Sequence, residues 1–277
     1  MRVAVYLGYL MQLQSILGWP RTCQFALAHL RNKLIPPRKG RLASVPVGPY
    51  RFYFPSLVYF TGLFAEIFLN ETYYLEPTMA TIRVIDCGAN IGMSLLYIKI
   101  RAPHAQVQCF EPNPAARAVL EHNVRENGWQ SSVEIYPYAL GTRAGTVTFY
   151  VEETEATSSG GSVGAYQKNK GRALTSYPVE VQRLSPYLTS PIAYLKIDIE
   201  GPELEVLEEL AAAHTLEKIA SIQLEYHYIP GHFTRSVSEL LRVLEEAGFR
   251  TFVKSYAPPH RIIGHDGWLT YMVFAWR

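Results

Sequence analysis

The sequence predicts a doubly wound α/β fold, a parallel sheet with helices on both faces, and three observations lead to it. From Thr81 onward, short apolar runs alternate with helical patterns, the order that strand–helix–strand units impose on a chain. The first run, Ile82 to Cys87, passes through Gly88-Ala89-Asn90-Ile91-Gly92 straight into a helical pattern. The second run ends in Phe110-Glu111-Pro112, which sets a carboxylate at the next strand end.

Residues 1–80 precede this alternation and read as an extension of helices and short strands, a cap on a main domain over 81–277. Val3 to Leu13 is apolar apart from Gly8 and Gln12. It falls short of the roughly 20 apolar residues that cross a bilayer, and no small-residue cleavage site follows it. A packing helix is expected there, with Phe25, Leu27, Leu30 and Leu34 extending a second apolar stripe. The basic stretch Arg31, Lys33, Arg38, Lys39 and Arg41 supports peripheral membrane contact as the alternative. Tyr50 to Phe54 alternates like a short strand, and Leu57 to Leu69 reads as a helix leading to Tyr73 and Tyr74. The aromatic residues of this stretch are expected in the core, where aromatic side chains contribute most to burial.

In the main domain the expected order is strand 82–87, helix 93–101, strand 106–110, helix 115–127 and strand 133–138. Val147 to Val151 and Val179 to Leu184 suggest a hairpin-like insertion. Between them, Thr154 to Gly171 is rich in Gly, Ser and Thr and reads as a long loop, with Ser158-Ser159 and Gly160-Gly161 as a possible hinge. Strand 193–199, helix 203–213, strand 219–226, helix 236–247 and strands 249–254 and 269–276 complete the series.

Composition bounds the function. The 277 residues are 48% hydrophobic and 18% charged, with a formal net charge of +2. That describes a globular protein with no global field toward nucleic acid. Three cysteines, Cys23, Cys87 and Cys109, lack metal or disulfide spacing and suggest a reducing cytoplasm.

Ligands of open parallel sheets bind outside the strand carboxyl ends, so the residues after each strand are the candidates. Gly88 permits a tight turn and close ligand approach, Gly92 allows close helix packing, and the following helix N-terminus offers unpaired N–H groups. Asn90 stands where a dinucleotide-binding turn needs glycine against a pyrophosphate. This favours a nucleoside ligand without pyrophosphate, of which S-adenosylmethionine is the common case. Glu111 is expected to accept ribose hydroxyls, with capping of the helix near Pro114 as its other reading. Asp86, at the turn, either braces the loop or meets the ligand. Ala139 and Leu140 end the third strand in a small-residue turn suited to covering an adenine ring.

The fourth strand ends Lys196-Ile197-Asp198-Ile199-Glu200-Gly201 and the fifth Glu225-Tyr226-His227. On a strand, residues two apart share a face, so Asp198, Glu200, Glu225 and His227 are expected to converge. Such a group can orient a hydroxyl and remove its proton, with His227 or Asp198 as base and Glu200 orienting the acceptor. It also has the ligand chemistry for a divalent metal, with Asp198 and Glu225 as candidates. Tyr226, Tyr228, His232 and His260 are further acceptor contacts.

These motifs, Val84 to Gly92, Phe110-Glu111-Pro112, Ala139-Leu140-Gly141 and Leu195 to Gly201 with Glu203 and Val206-Leu207, together resemble the FkbM family of S-adenosylmethionine-dependent methyltransferases over residues 80–255. The resemblance implies a Rossmann-like class I methyltransferase sheet and methyl transfer to an oxygen, commonly a hydroxyl of a sugar, glycan or secondary metabolite. It carries a cofactor role onto Gly88, Asn90, Glu111 and Ala139, extended here to Asp86, Ala89, Gly92, Pro112 and Leu140. It carries an active-site role onto Asp198 and Glu200. Two other readings use the same residues: a nucleotide-dependent oxidoreductase, which Asn90 and the acid pairs disfavour, and a non-catalytic protein docking through its N-terminal region.

Overall fold

The structure, a computed structural model, describes residues 11, 13–14, 16–35, 40–152, 162–163, 174–228, 235–255 and 269–277. Most of Val3 to Leu13, most of the Thr154–Gly171 loop with its hinge residues, His232 and His260 lie outside the described residues.

Seven strands form the central sheet, in the order β12 (Arg250–Ser255), β13 (Leu269–Trp276), β11 (Ser221–Tyr228), β10 (Tyr194–Ile197), β3 (Arg83–Cys87), β4 (Gln106–Phe110) and β5 (Val133–Tyr136). From β11 through β5 all neighbours are parallel. The exception is β13, antiparallel to both β11 and β12. It inserts between them, so the sheet is mixed at one edge. Strands with both faces covered read as unbroken apolar runs, and β10 is buried along its whole length.

The helices α3 (Met93–Arg101), α4 (Pro114–Glu126), α5 (Glu203–Ala212) and α6 (Val237–Glu246) connect these strands. Their starts follow local chemistry. Asn113 caps α4 by accepting from the N–H groups of Ala115 and Ala116, with Pro114 at the first position where its missing donor costs nothing. Ser236 and Glu239 form a reciprocal capping box at α6, which satisfies two otherwise orphaned donors.

The expected hairpin is part of a second, four-stranded sheet. There β7 (Gly145–Glu152) pairs antiparallel with β9 (Leu174–Gln182), flanked by β6 (Ala139–Leu140) and β8 (Ser162–Val163).

The N-terminal region contributes α1 (Trp19–Leu34), the hairpin of β1 (Ala43–Val47) and β2 (Tyr50–Phe54), and α2 (Leu57–Phe64), which runs on as a π-helical turn over Ala65–Leu69. Its aromatic residues stack as a ladder: Phe54 on Phe60 at 4.4 Å, Phe25 on Phe64 at 4.5 Å and Phe64 on Phe68 at 4.7 Å between ring centroids. They share one hydrophobic cluster with Ile91, Leu95, Tyr97 and Leu120 of the main sheet's helical layer. The residues of the expected second apolar stripe divide between two faces of α1. Phe25 is buried, but Leu27, Leu30 and Leu34 point to solvent from the opposite face of α1. That helix carries apolar residues on two faces, and only one is covered. Among the described residues no helix is long and apolar enough to cross a membrane.

Candidate active site

From β3 the chain runs outward to β4 and β5 on one side, and later to β10 and β11 on the other. The carboxyl ends of β3 and β10 therefore flank the point where strand order reverses, which is where such sheets bind ligands. A cavity of about 170 Å³ opens there.

One end of the cavity is lined by Gly88, Ala89, Asn90, Glu111, Pro112, Ala139 and Leu140. Glu111 is buried and accepts from the N–H groups of Asn90 and Asn113, both at 2.8 Å. It does not cap α4, since Asn113 does. Each carboxylate oxygen thus takes one backbone donor and retains a lone pair for a ligand hydroxyl. Burial raises its pKa against these two N–H groups, to about 7. Asn90 adopts φ +51°, a region Asn tolerates better than most side chains. Its Oδ1 accepts from the Tyr59 hydroxyl at 2.8 Å and the Ile91 N–H at 2.7 Å, which ties the turn to α2.

Gly88 adopts the left-handed backbone of the expected tight turn and lines the cavity. At φ +81°, a Cβ there would lie 1.7 Å from the carbonyl oxygen of Asp198, so the end of the neighbouring strand also excludes a side chain at this position. Gly92, at φ +92°, packs against Leu120 of α4, where a Cβ would sit 2.8 Å from Leu120 Cδ1. It does not line the cavity.

Asp86 is also behind the wall. Fully buried, it accepts from the Ser94 hydroxyl at 2.5 Å and lies 3.3 Å from Lys196 Nζ. Its partner follows from strand register, because Lys196 sits opposite Asp86 across the β10–β3 pair. The Lys196 ammonium donates to the carbonyls of Gly88 at 2.7 Å and Cys87 at 3.3 Å, and stands 3.6 Å from Asp198. Burial lowers its pKa, but Asp86 and Asp198 outweigh that and hold it charged.

The other end of the cavity is acidic. Strand β10 stops at Ile197, so Asp198 and Glu200 lie in the following turn and not on the strand itself, with Glu200 at φ +59°. Left-handed backbone at a non-glycine residue is uncommon and clusters at functional sites. Asp198, Glu200 and Glu225 line the cavity with Tyr73, whose hydroxyl donates to Asp198 at 3.0 Å. Burial and the nearby Asp198 charge push the Glu225 pKa up.

His227, expected as a base, stands behind this wall and does not line the cavity. Its Nδ1 is 3.0 Å from Glu203 Oε1, and its Nε2 is 3.4 Å from Glu200 and 3.6 Å from Glu225. Burial lowers its pKa, but the Glu200 and Glu203 carboxylates overcome this and raise it to about 10. It is therefore a protonated counter-ion at neutral pH. Among the described residues, one ligand atom each from Asp198, Glu200 and His227 lies within 4.8 Å of the others, a spacing that suits a metal ion once His227 has lost its proton.

Leu63, Glu66 and Ile67 line the cavity from the N-terminal region, and Lys196 lines it from β10. The π turn that carries Glu66 and Ile67 is of a kind often found at functional sites. Sequence reasoning assigned no role to Tyr59, Tyr73, Lys196 or Glu203. A lysine inside the apolar run Tyr194 to Ile197 was the available signal for one of them.

Residues 86–251 match the family model described as the methyltransferase FkbM domain. The chain is 28% identical over 219 residues to Methyltransferase 1 of Beauveria bassiana, covering 70% of this chain and 83% of that protein. It is also 28% identical over 219 residues to 31-O-demethyl-FK506 methyltransferase FkbM of Streptomyces tacrolimicus, covering 68% of this chain and 80% of that one. The crystal structure of methyltransferase FkbM from Methylobacillus flagellatus KT superimposes with a TM-score of 0.50 at 15% identity, over 97% of this chain and 58% of that chain, a likeness of fold.

Proposed function

Because the chain belongs to the FkbM methyltransferase family, we propose that it transfers a methyl group from S-adenosylmethionine to a hydroxyl oxygen of a small molecule or glycan. The observation that carries this reading is a single cavity lined by Glu111, Ala139 and Leu140 together with Asp198, Glu200 and Glu225. The residues present fit the cofactor. Glu111 offers acceptors to a ribose, Ala139 and Leu140 offer an apolar wall to the adenine, and carboxylates outnumber Lys196 and His227 at the end where a sulfonium would lie. The name of the Streptomyces tacrolimicus relative specifies transfer to an oxygen, which supports the same choice here.

When bound, S-adenosylmethionine supplies an electrophilic methyl group. Asp198 is the cavity carboxylate positioned to take the acceptor proton, since His227 already holds one. Glu200 orients the acceptor hydroxyl, and Tyr73 and Lys196 fix the Asp198 carboxylate between them. Such sites gain most of their rate from positioning.

The cofactor half is tested by calorimetric titration with S-adenosylhomocysteine. Glu111→Gln is expected to weaken binding by about tenfold to a hundredfold, the cost of losing a charged hydrogen-bond acceptor. Glu111 accepts hydroxyls as a carboxylate, so affinity is expected to rise as pH climbs through about 7, and the variant to lose that dependence. Unchanged affinity in the variant would remove Glu111 from the cofactor site.

Treatment with EDTA is expected to leave turnover intact, because Lys196 and His227 already supply positive charge beside the acidic residues. Loss of turnover restored by magnesium would instead assign a divalent ion to Asp198, Glu200 and His227.

A further inference from the structure

The solvent face of α1 has no role in the methyl-transfer reading. Its inner face packs through Thr22 and Phe25, while Asn32 donates to the Ser44 carbonyl of β1 at 3.0 Å. Directly opposite, Leu27, Leu30 and Leu34 are 69%, 51% and 72% exposed, and Ile35 at the helix end is 70% exposed. Spacings of three and four residues stack such side chains into one stripe along a helix. Isolated exposed leucines need no explanation, but a row of them on one face marks a surface that something covers.

The charge around the stripe indicates what covers it. Residues 1–65 contain eight of the chain's 26 Lys+Arg and none of its 24 Asp+Glu. The near-neutral whole is therefore a basic N-terminal region joined to an acidic remainder. Within the described residues Arg31, Lys33 and Arg41 are exposed, and on α1 Arg31 stands next to Leu30 and within a turn of Leu27 and Leu34, so the apolar row has basic residues along its border. Helices that lie in the headgroup region of a bilayer have this construction, leucines entering the acyl boundary and Lys or Arg meeting anionic headgroups.

We propose that α1 docks the protein on an anionic lipid surface, with Leu27, Leu30 and Leu34 inserted and Arg31, Lys33 and Arg41 at headgroup level. The contact is peripheral and reversible. It faces away from Phe25, which stacks on the aromatic ladder of α2, and α2 with its π turn supplies Leu63, Glu66 and Ile67 to the cavity. Docking thus holds the N-terminal layer that roofs the cavity against the membrane. A second copy of the chain is the competing occupant, because apolar residues at these spacings also suit helix pairing.

The experiment is flotation of the full chain with vesicles of phosphatidylcholine alone and of phosphatidylcholine mixed with phosphatidylglycerol, alongside light scattering of the protein without lipid. Binding to the anionic vesicles is expected to exceed binding to neutral ones by roughly tenfold or more, given the number of basic residues near the surface, and to fall as salt is raised. The variant Leu27→Ser, Leu30→Ser, Leu34→Ser is expected to lose this binding while keeping the circular dichroism spectrum and S-adenosylhomocysteine affinity of the parent. Arg31→Glu with Lys33→Glu is expected to weaken it with the leucines intact. Equal binding to both vesicle types, binding that survives the triple substitution, or a dimer that the triple substitution splits would each overturn the proposal. Loss of methyl transfer on its own leaves vesicle binding unchanged, so this test stands apart from that of the active site.

Discussion

Asp198→Asn is expected to lower kcat for the acceptor by about a hundredfold to ten-thousandfold, the range over which a positioned proton acceptor acts. The amide keeps the size of the carboxylate and can still accept from the Tyr73 hydroxyl, which lies 3.0 Å away, but it cannot take a proton. Affinity for S-adenosylhomocysteine is expected to stay within a few-fold of the parent, because the Glu111 end of the cavity is untouched. His227→Gln separates the two candidate bases. With Glu200 and Glu203 holding the imidazole pKa at about 10, His227 serves as a charge partner, and its loss acts through Glu200 and Glu225. It is therefore expected to lower kcat less than Asp198→Asn and to lower stability more. The sign for stability follows from the raised pKa: the contribution of His227 is complete below its unfolded pKa of about 6.5 and disappears as pH rises through about 10. Full turnover in Asp198→Asn, measured as methyl transfer in single-turnover mixing, would sink its assignment as the base.

Much of this site was legible in the sequence because it sits at strand ends, and strand ends can be found from apolar runs. Glu111, Asn90 and Asp198 reach the cavity from places where such a run stops, and Ala139 from the short strand β6 that follows the third run. What could not be read is whatever depends on which strand lies beside which. Lys196 faces Asp86 only because β10 neighbours β3, a pairing between residues 110 positions apart in the chain. The same gap hid one constraint on Gly88, the close approach of the Asp198 carbonyl. The antiparallel insertion of β13 between β11 and β12 leaves no trace in periodicity, since either direction buries the same side chains. For α1 the apolar pattern was visible, but not which of its residues the fold covers. Periodicity finds an apolar face, but the remainder of the fold decides whether that face is covered, and Phe25 and Leu27 lie on opposite sides of one helix.

Lys196→Met is expected to cost about 3–5 kcal/mol of stability, the usual result of leaving one partner of a buried ion pair alone. Methionine preserves most of the length and the apolar stem, so the loss isolates the charge. Lys196 is 3% exposed and Asp86 is fully buried. Without the ammonium, Asp86 keeps the Ser94 hydroxyl at 2.5 Å but no neighbouring cation to offset its desolvation, and the carbonyls of Cys87 and Gly88 lose a donor. Urea denaturation reads the stability change, and a midpoint equal to the parent's would show that the pair is not structural. The double variant Asp86→Asn, Lys196→Met is expected to recover part of the loss, since removing both charges relieves the stranded carboxylate. It should not recover function in the same proportion. Lys196 also holds the Gly88 carbonyl at 2.7 Å and stands 3.6 Å from Asp198, and neither contact returns in the double variant. Regained stability with kcat still depressed would therefore mean that one buried ammonium both anchors β10 to β3 and sets the position of the proposed base. Regained stability with full kcat would reduce Lys196 to the anchor alone.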